Sequence, residues 1–323
     1  MFQDFKIAYM RKHVKVREKR RLSFLRQSIA YVLTQSAGET PHAAANIEFD
    51  ITPLIEYTRA GKEAPGTCND PAVEKTRLSR AIRKNYSAFF IKAIAHSIYH
   101  TPCINGFLDY TPLRNGGTFY LAEDINLSFT VNTKFGVIKP IIRNPHLKPL
   151  ETVANEMKLL SRKARRTDAE ELYTRAAKEY LKFAIRQLDL TSLPALWTFL
   201  RSLLWQRPKS DPVFRNIPEE KKLQLSDILG ATCTVANIGM SFEGHQTVTV
   251  IIPPEVTMFG IGNTSLLPRV VNGEIVPRYI VTVCATMDHR AYDAGEAFPF
   301  IEHLSRYVKN PGIIYEWKPG NDI

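Results

Sequence analysis

The chain is poor in cysteine and has no long apolar run. Its 323 residues include four cysteines, Cys68, Cys103, Cys233 and Cys284. None of these shows metal-ligand spacing, so neither a cysteine-based metal centre nor a disulfide framework is expected. Cys233 and Cys284 fall in apolar, strand-like runs and are read as buried thiols, which suits a reducing compartment, the cytoplasm by default. No stretch stays apolar for the ~20 residues that a membrane-spanning helix needs. The N-terminal "MFQDFKIAYMRKHVKVREKRR" has no apolar core of a secretory signal, and Asp4 and Glu18 argue against an organelle presequence. There is no internal repeat and no low-complexity segment.

Acidic residues are the minority charge. Lys and Arg number 43 against 32 Asp and Glu, a net charge of +11. The excess is partly local, because residues 11–21 ("RKHVKVREKRR") hold seven Lys or Arg and one acidic residue. Such a run is either a solvated helix face or a surface for an anionic partner: a phosphate-rich cofactor, an acidic lipid surface or nucleic acid. No nucleic-acid module accompanies it, so nucleic acid is not expected.

The hydrophobic pattern predicts a basic amphipathic helix over 10–37 closed by Gly38, then a strand from 42 and a helix from Thr52-Pro53. Residues 60–76 read as a loop. A buried helix is expected over 87–102, strands over 117–145 with a turn at 134–136, and helices at 149–166 and 168–189. Strands are expected again at 231–237, 246–253, 256–262 and 278–286, and a last helix at 295–309. Helices and strands mix without βαβ alternation, which indicates an α+β or mixed-sheet fold. Residues 190–209 contain Trp197, Phe199, Leu200, Leu203, Leu204 and Trp205 beside Arg201, Arg207 and Lys209. This cluster either covers the protein itself or, with 11–21, meets an acidic membrane surface.

Chemistry concentrates in "TVCATMDHRAYDAGEAFPFIEHL" (282–304), where an apolar run ends in Asp288-His289-Arg290 and Asp293 follows. An imidazole takes protons near neutral pH, and a strand end holds one still at a cleft. His-x-x-x-Asp alone equally describes a structural histidine.

The wider pattern separates the two readings. "DHRAYDAGEAFPFIEHLSRYVKNP" resembles the C-terminal signature of the dihydrolipoamide acyltransferases, the core subunits of 2-oxo acid dehydrogenase complexes. "TPHAAANIEFDITPL" (40–54), "VNTKFGVIKPIIRNPHLKPLETVANEMKLLSRKAR" (131–165), "ATCTVANIGM" (231–240), "IIPPEVTMFGIG" (251–262) and "VVNGEIVPRYIVTVCATMDHR" (270–290) match the family in the same order. The resemblance implies a chloramphenicol-acetyltransferase-like α+β fold, a mixed sheet with flanking helices that forms homotrimers and larger cages. It implies one catalytic domain over 1–166 and 223–323, with 167–222 as a helical insertion and no lipoyl or peripheral-subunit-binding domain. It implies acyl transfer between thiols of coenzyme A and dihydrolipoamide, with His289 as general base and Asp293 as organiser of its loop, at a seam between subunits. Asp288 and Arg290 support the motif. The substrate is acyl-CoA, with no metal and no lipoyl group on this chain, so a separate lipoyl- or acyl-carrier protein is the expected partner. Two positions depart from the family pattern. Ala236 stands where the family has the serine that hydrogen-bonds the oxyanion; Thr234 shares its face two residues away, and Asn237 points to the other. Asp293-Ala294-Gly295 replaces Asp-Gly-Ala, which predicts strain at Ala294 if that position needs positive φ. The alternative function is a catalytically impaired core or accessory subunit that keeps the fold as a scaffold, cytoplasmic or peripheral to a membrane. His42, His96, His100, His245 and His303 are read as structural, although His42 leads into a strand that borders the cleft in the family.

Overall fold

The computed structural model describes residues 2–60, 86–111, 116–134, 136–186, 211–237 and 248–321. Ten strands are described: β1 (His42–Asp50), β2 (Gly106–Thr111), β3 (Gly116–Leu121), β4 (Asn126–Phe129), β5 (Val131–Thr133), β6 (Gly136–Ile138), β7 (Ile141–Arg143), β8 (Cys233–Asn237), β9 (Thr257–Val271) and β10 (Glu274–Asp288). Six of them form one mixed sheet in the order β1-β10-β9-β8-β4-β7, while β2-β3 and β5-β6 form two small ribbons. β8 runs parallel to both β4 and β9; the remaining neighbours in the large sheet are antiparallel.

Odd positions of the central strands face the main core. Val235, Phe259, Ile261, Val281 and Val283 meet Phe89, Phe90, Ile94 and Ile98 from the helix at 86–99, and Phe300 and Leu304 from the helix Ala294–Lys309. That helix over 86–99 is apolar on almost every side, as a helix enclosed by a sheet and its neighbours should be. Burying each such Phe or Ile stabilises by ~1.5–3 kcal/mol. The opposite face of the sheet carries a separate small cluster of Ala236, Met258 and Ile251. Beside it lies a polar patch in which the Thr249 and Thr286 hydroxyls hydrogen-bond at 2.7 Å.

Two elements differ from the sequence reading. The expected helix over 10–37 is two helices, Phe2–His13 and Phe24–Glu39, separated by 14–23. Like charges one turn apart repel, β-branched Val14 and Val16 add no helix preference, and the Ser23 hydroxyl restarts the helix by accepting from the Arg26 N–H. Gly38 lies inside the second helix, which stops at Thr40 because Pro41 follows. The expected strand over 246–253 is absent from the described part, 248–253, where Pro253 and the following Pro254 offer no N–H to extend a ladder. The third surprise is length. β9 and β10 continue as a two-stranded ribbon to a turn at Asn272-Gly273, with φ of 53° and 86°. Asn-Gly is the strongest short hairpin signal, because both residues tolerate left-handed backbone.

The helix Ala169–Arg186 plants Ala169 and Leu172 in the main core. Its root is tied to the chain that returns: the Thr167 hydroxyl accepts from Leu223 N–H at 2.8 Å, and the Asp168 carboxylate from Asp211 N–H at 3.0 Å. The apolar cluster at 190–209 and the loop at 60–76 fall outside the described residues, apart from Ala60. Among the described residues, no helix is long and apolar enough to cross a membrane.

Lys92 is fully buried in the core. Its ammonium donates to the carbonyls of Lys148 (2.6 Å) and His146 (3.3 Å) and sits 3.8 Å over the Trp317 ring. Burial pushes it down to about 7, while these carbonyls and the indole face hold the charged form in place. His96 packs against Trp317, and His100 stacks on His303 at 4.2 Å. All three histidines are engaged in ring packing, while His245 lies outside the described residues.

Candidate active site

The end of β10 is built as a rigid turn. Asp288 is 2% exposed and pairs with Arg290 through two contacts, Nε–Oδ1 at 2.9 Å and Nη2–Oδ2 at 2.7 Å. The same carboxylate accepts from Arg290 N–H at 3.0 Å, closing a tight turn around the residue between them. Arg290 also donates to the Thr40 hydroxyl at 3.3 Å and lies over the Tyr110 ring at 5.1 Å. Its hydrogen bond to Asp288 raises its already high pKa. The backbone on both sides is pinned: Asp288 N–H donates to Val256 C=O at 2.9 Å, and His289 N–H to Pro41 C=O at 3.1 Å. Asp288 and Arg290 thus fix the position of His289.

The His289 side chain points outward, 47% exposed, and its Nδ1 stands 3.1 Å from Asp293 Oδ1. Asp293 is the N-cap of the helix Ala294–Lys309, and its own N–H donates to Glu296 Oε2 at 2.9 Å. A carboxylate beside Nδ1 selects the tautomer with the proton there, which leaves the lone pair on Nε2. Nε2 has no hydrogen-bond partner among the described residues and faces outward. The strain expected at Ala294 does not arise. Ala294 is the first residue of an ordinary helix, outside the positive-φ residues, and a Cβ at Gly295 would meet open space. The shifted glycine is therefore no obstacle to this turn.

β8 holds the other half of the predicted site. Thr234 is fully buried, and its hydroxyl donates to Glu255 Oε2 at 2.6 Å while sharing a 2.8 Å hydrogen bond with Ser128. Lys139 Nζ is 3.4 Å from the same hydroxyl and 3.9 Å from Glu255. Burial pushes the Glu255 carboxyl up, and Lys139 offsets part of that. Thr234 is committed to this network and has no proton to offer an oxyanion. Sequence reading missed Ser128, Lys139 and Glu255; the available signal was a glutamate inside the apolar "IIPPEVTMFG". Asn237 turns to the opposite face, where its amide donates to the Ser87 hydroxyl at 2.8 Å. His42 stands in register opposite Asp288, with Nε2 3.3 Å from the Ser36 hydroxyl.

Ala236 is 4% exposed beneath Ile251 and Met258. A neighbouring molecule could only add cover. The Ala236→Ser variant is therefore expected to leave acyl turnover no higher and to lower thermal stability, because a hydroxyl enclosed by apolar neighbours costs ~1–3 kcal/mol. Calorimetry together with a thiol-release assay checks this; a faster, equally stable variant would contradict the enclosure.

Within one chain the two halves do not meet. Ala236 pairs with Gly260, Gly260 with Cys284, and His289 lies five residues beyond Cys284. Two strand spacings and five residues of extended chain separate them by about 20 Å. Among the described residues, no group of three His, Cys, Asp or Glu side chains is arranged to hold a metal ion.

The mixed sheet with helices on its core face is the architecture of acyltransferase cores. It superimposes on a probable dihydrolipoamide acetyltransferase from Listeria monocytogenes with a TM-score of 0.62 at 21% identity, covering 95% of this chain and 97% of that one. The cubic core of a pyruvate dehydrogenase multienzyme complex gives 0.63 at 21% identity, covering 94% and 95%. The chain belongs to the family of 2-oxoacid dehydrogenase acyltransferase catalytic domains, whose sequence model matches residues 15–172 and 216–315. The match leaves out residues 173–215. The chain is 22% identical over 294 residues to the dihydrolipoyllysine-residue acetyltransferase component of the Bacillus subtilis pyruvate dehydrogenase complex, covering 91% of this chain and 50% of that protein. It thus spans about half the length of the curated relatives it matches.

Proposed function

We propose that the protein is a coenzyme A-dependent acyltransferase that moves an acyl group between thiols, with His289 as general base at a seam between copies of a homotrimer. The observation that carries this reading is the outward-facing imidazole with Nδ1 held by Asp293 at 3.1 Å. His289 Nε2 takes the proton of the acceptor thiol. The thiolate attacks the acyl carbon of the thioester and forms a tetrahedral oxyanion. Collapse breaks the original carbon–sulfur bond, and the departing sulfur takes the proton back from the imidazolium. The ~20 Å between His289 and Ala236 argues for the trimer, since only a second copy can bring a β8 strand to this imidazole. The acyl group reaches the site on a lipoyl or acyl-carrier group, and larger cages are the assembly that suits such an exchange. The buried thiols Cys233 and Cys284 suit a reducing cytoplasm.

One observation favours the scaffold reading. Position 236 offers no hydroxyl and is closed by Ile251 and Met258. Thiol release from acetyl-CoA and longer acyl-CoAs, with dihydrolipoamide as acceptor, separates the two. Release above the protein-free rate by the assembled protein supports catalysis; its absence with every acyl chain supports the scaffold.

A further inference from the structure

The N-terminal arm is set apart from the body of the fold. Every residue from Lys6 to Ser23 is exposed, and the segment 14–23 has no regular structure. Within 11–21, Arg20 pairs with Glu18 at 2.7 Å. Arg11, Lys12, Lys15, Arg17, Lys19 and Arg21 have no ion-pair partner among the described residues. Apolar side chains alternate with them: Met10 is 55% exposed, Val14 51%, Val16 54% and Leu22 51%. Six uncompensated cations on a short, solvated arm form a surface that attracts an anionic partner. Another copy of a chain that carries +11 is a poor counterpart. A polyphosphate backbone would satisfy the cations and leave the valines, Met10 and Leu22 in water. An acidic bilayer serves both, since headgroups neutralise the cations while the interfacial region takes up the apolar side chains.

We propose that residues 6–23 form a docking surface for anionic lipid membranes. Attraction falls with salt, because the arm is fully solvated and its charges are screened over a Debye length. The site is independent of acyl transfer, as none of its residues belongs to the His289 turn.

The test is flotation of the full-length protein with vesicles of pure phosphatidylcholine and of equimolar phosphatidylcholine and phosphatidylglycerol. Binding is expected to the acidic vesicles alone and to fade as salt is raised. The combined variant Arg17→Gln, Lys19→Gln, Arg20→Gln, Arg21→Gln is expected to bind about a thousandfold more weakly, given the contribution of each basic residue near an acidic surface. Val14→Ser with Val16→Ser, which keeps every charge, is expected to weaken binding about tenfold. Three results overturn the proposal: no association with acidic vesicles, full binding by the charge-neutralised variant, or binding to a DNA duplex or heparin with none to vesicles.

Discussion

His289→Ala is expected to reduce acyl transfer by ~10²–10⁴-fold, the usual contribution of a positioned general base. A thiol is a poor nucleophile until its proton leaves, and the imidazole Nε2 is an acceptor that this turn presents to the outside. Stability should change little, because the ring is half exposed and its backbone N–H bond to Pro41 survives the substitution. The measurement is kcat for CoA thiol release across pH, alongside a melting curve. A variant as fast as the parent protein would remove His289 from the chemistry. Asp293→Asn should fall between the two, since its amide oxygen still accepts from Nδ1 without the negative charge that stabilises the imidazolium.

Arg290→Met is expected to be the most damaging single change to the turn. It leaves the Asp288 carboxylate, 2% exposed, without either of its guanidinium contacts. Removing one partner of a buried pair costs ~3–5 kcal/mol, because an uncompensated charge stays behind. In a chain of this size that is a fall in Tm on the order of 10 °C. The companion double variant Asp288→Leu with Arg290→Met removes both charges and should regain much of the lost stability. Near-equal melting of the single and double variants would mean that the pair is not what holds this turn. Activity should fall in both, since each loosens the residue between them.

Much of this arrangement was legible in the chain. The Asp-His-Arg run after a β-branched stretch places a histidine at a strand end, and the ordered family matches carried the sheet. The helix at 86–99 and the final helix were marked by their apolar spacing and by Pro102 and Pro311. What could not be read were partnerships between distant segments. Nothing near Thr234 announces that Glu255 and Ser128 will occupy its hydroxyl. Nothing around Ala236 announces Ile251 as its cover. The break at 14–23 is not marked by proline or glycine, and the helical spacing that begins at Leu22 extends backward through 17–21 only over charged residues, whose mutual repulsion sets the outcome. The long ribbon of β9 and β10 was a readable feature left unread, since Asn272-Gly273 carried the hairpin signal.

The His289 N–H is anchored on Pro41, and Arg290 on Thr40, so the residues that close the helix Phe24–Glu39 also form the floor of the imidazole turn. That helix is the sole covalent connection from the cationic arm to the body. A crosslink, a deletion or a helix-shortening change between residues 24 and 41 therefore falls on the short segment that carries both the arm and the backbone acceptor of His289.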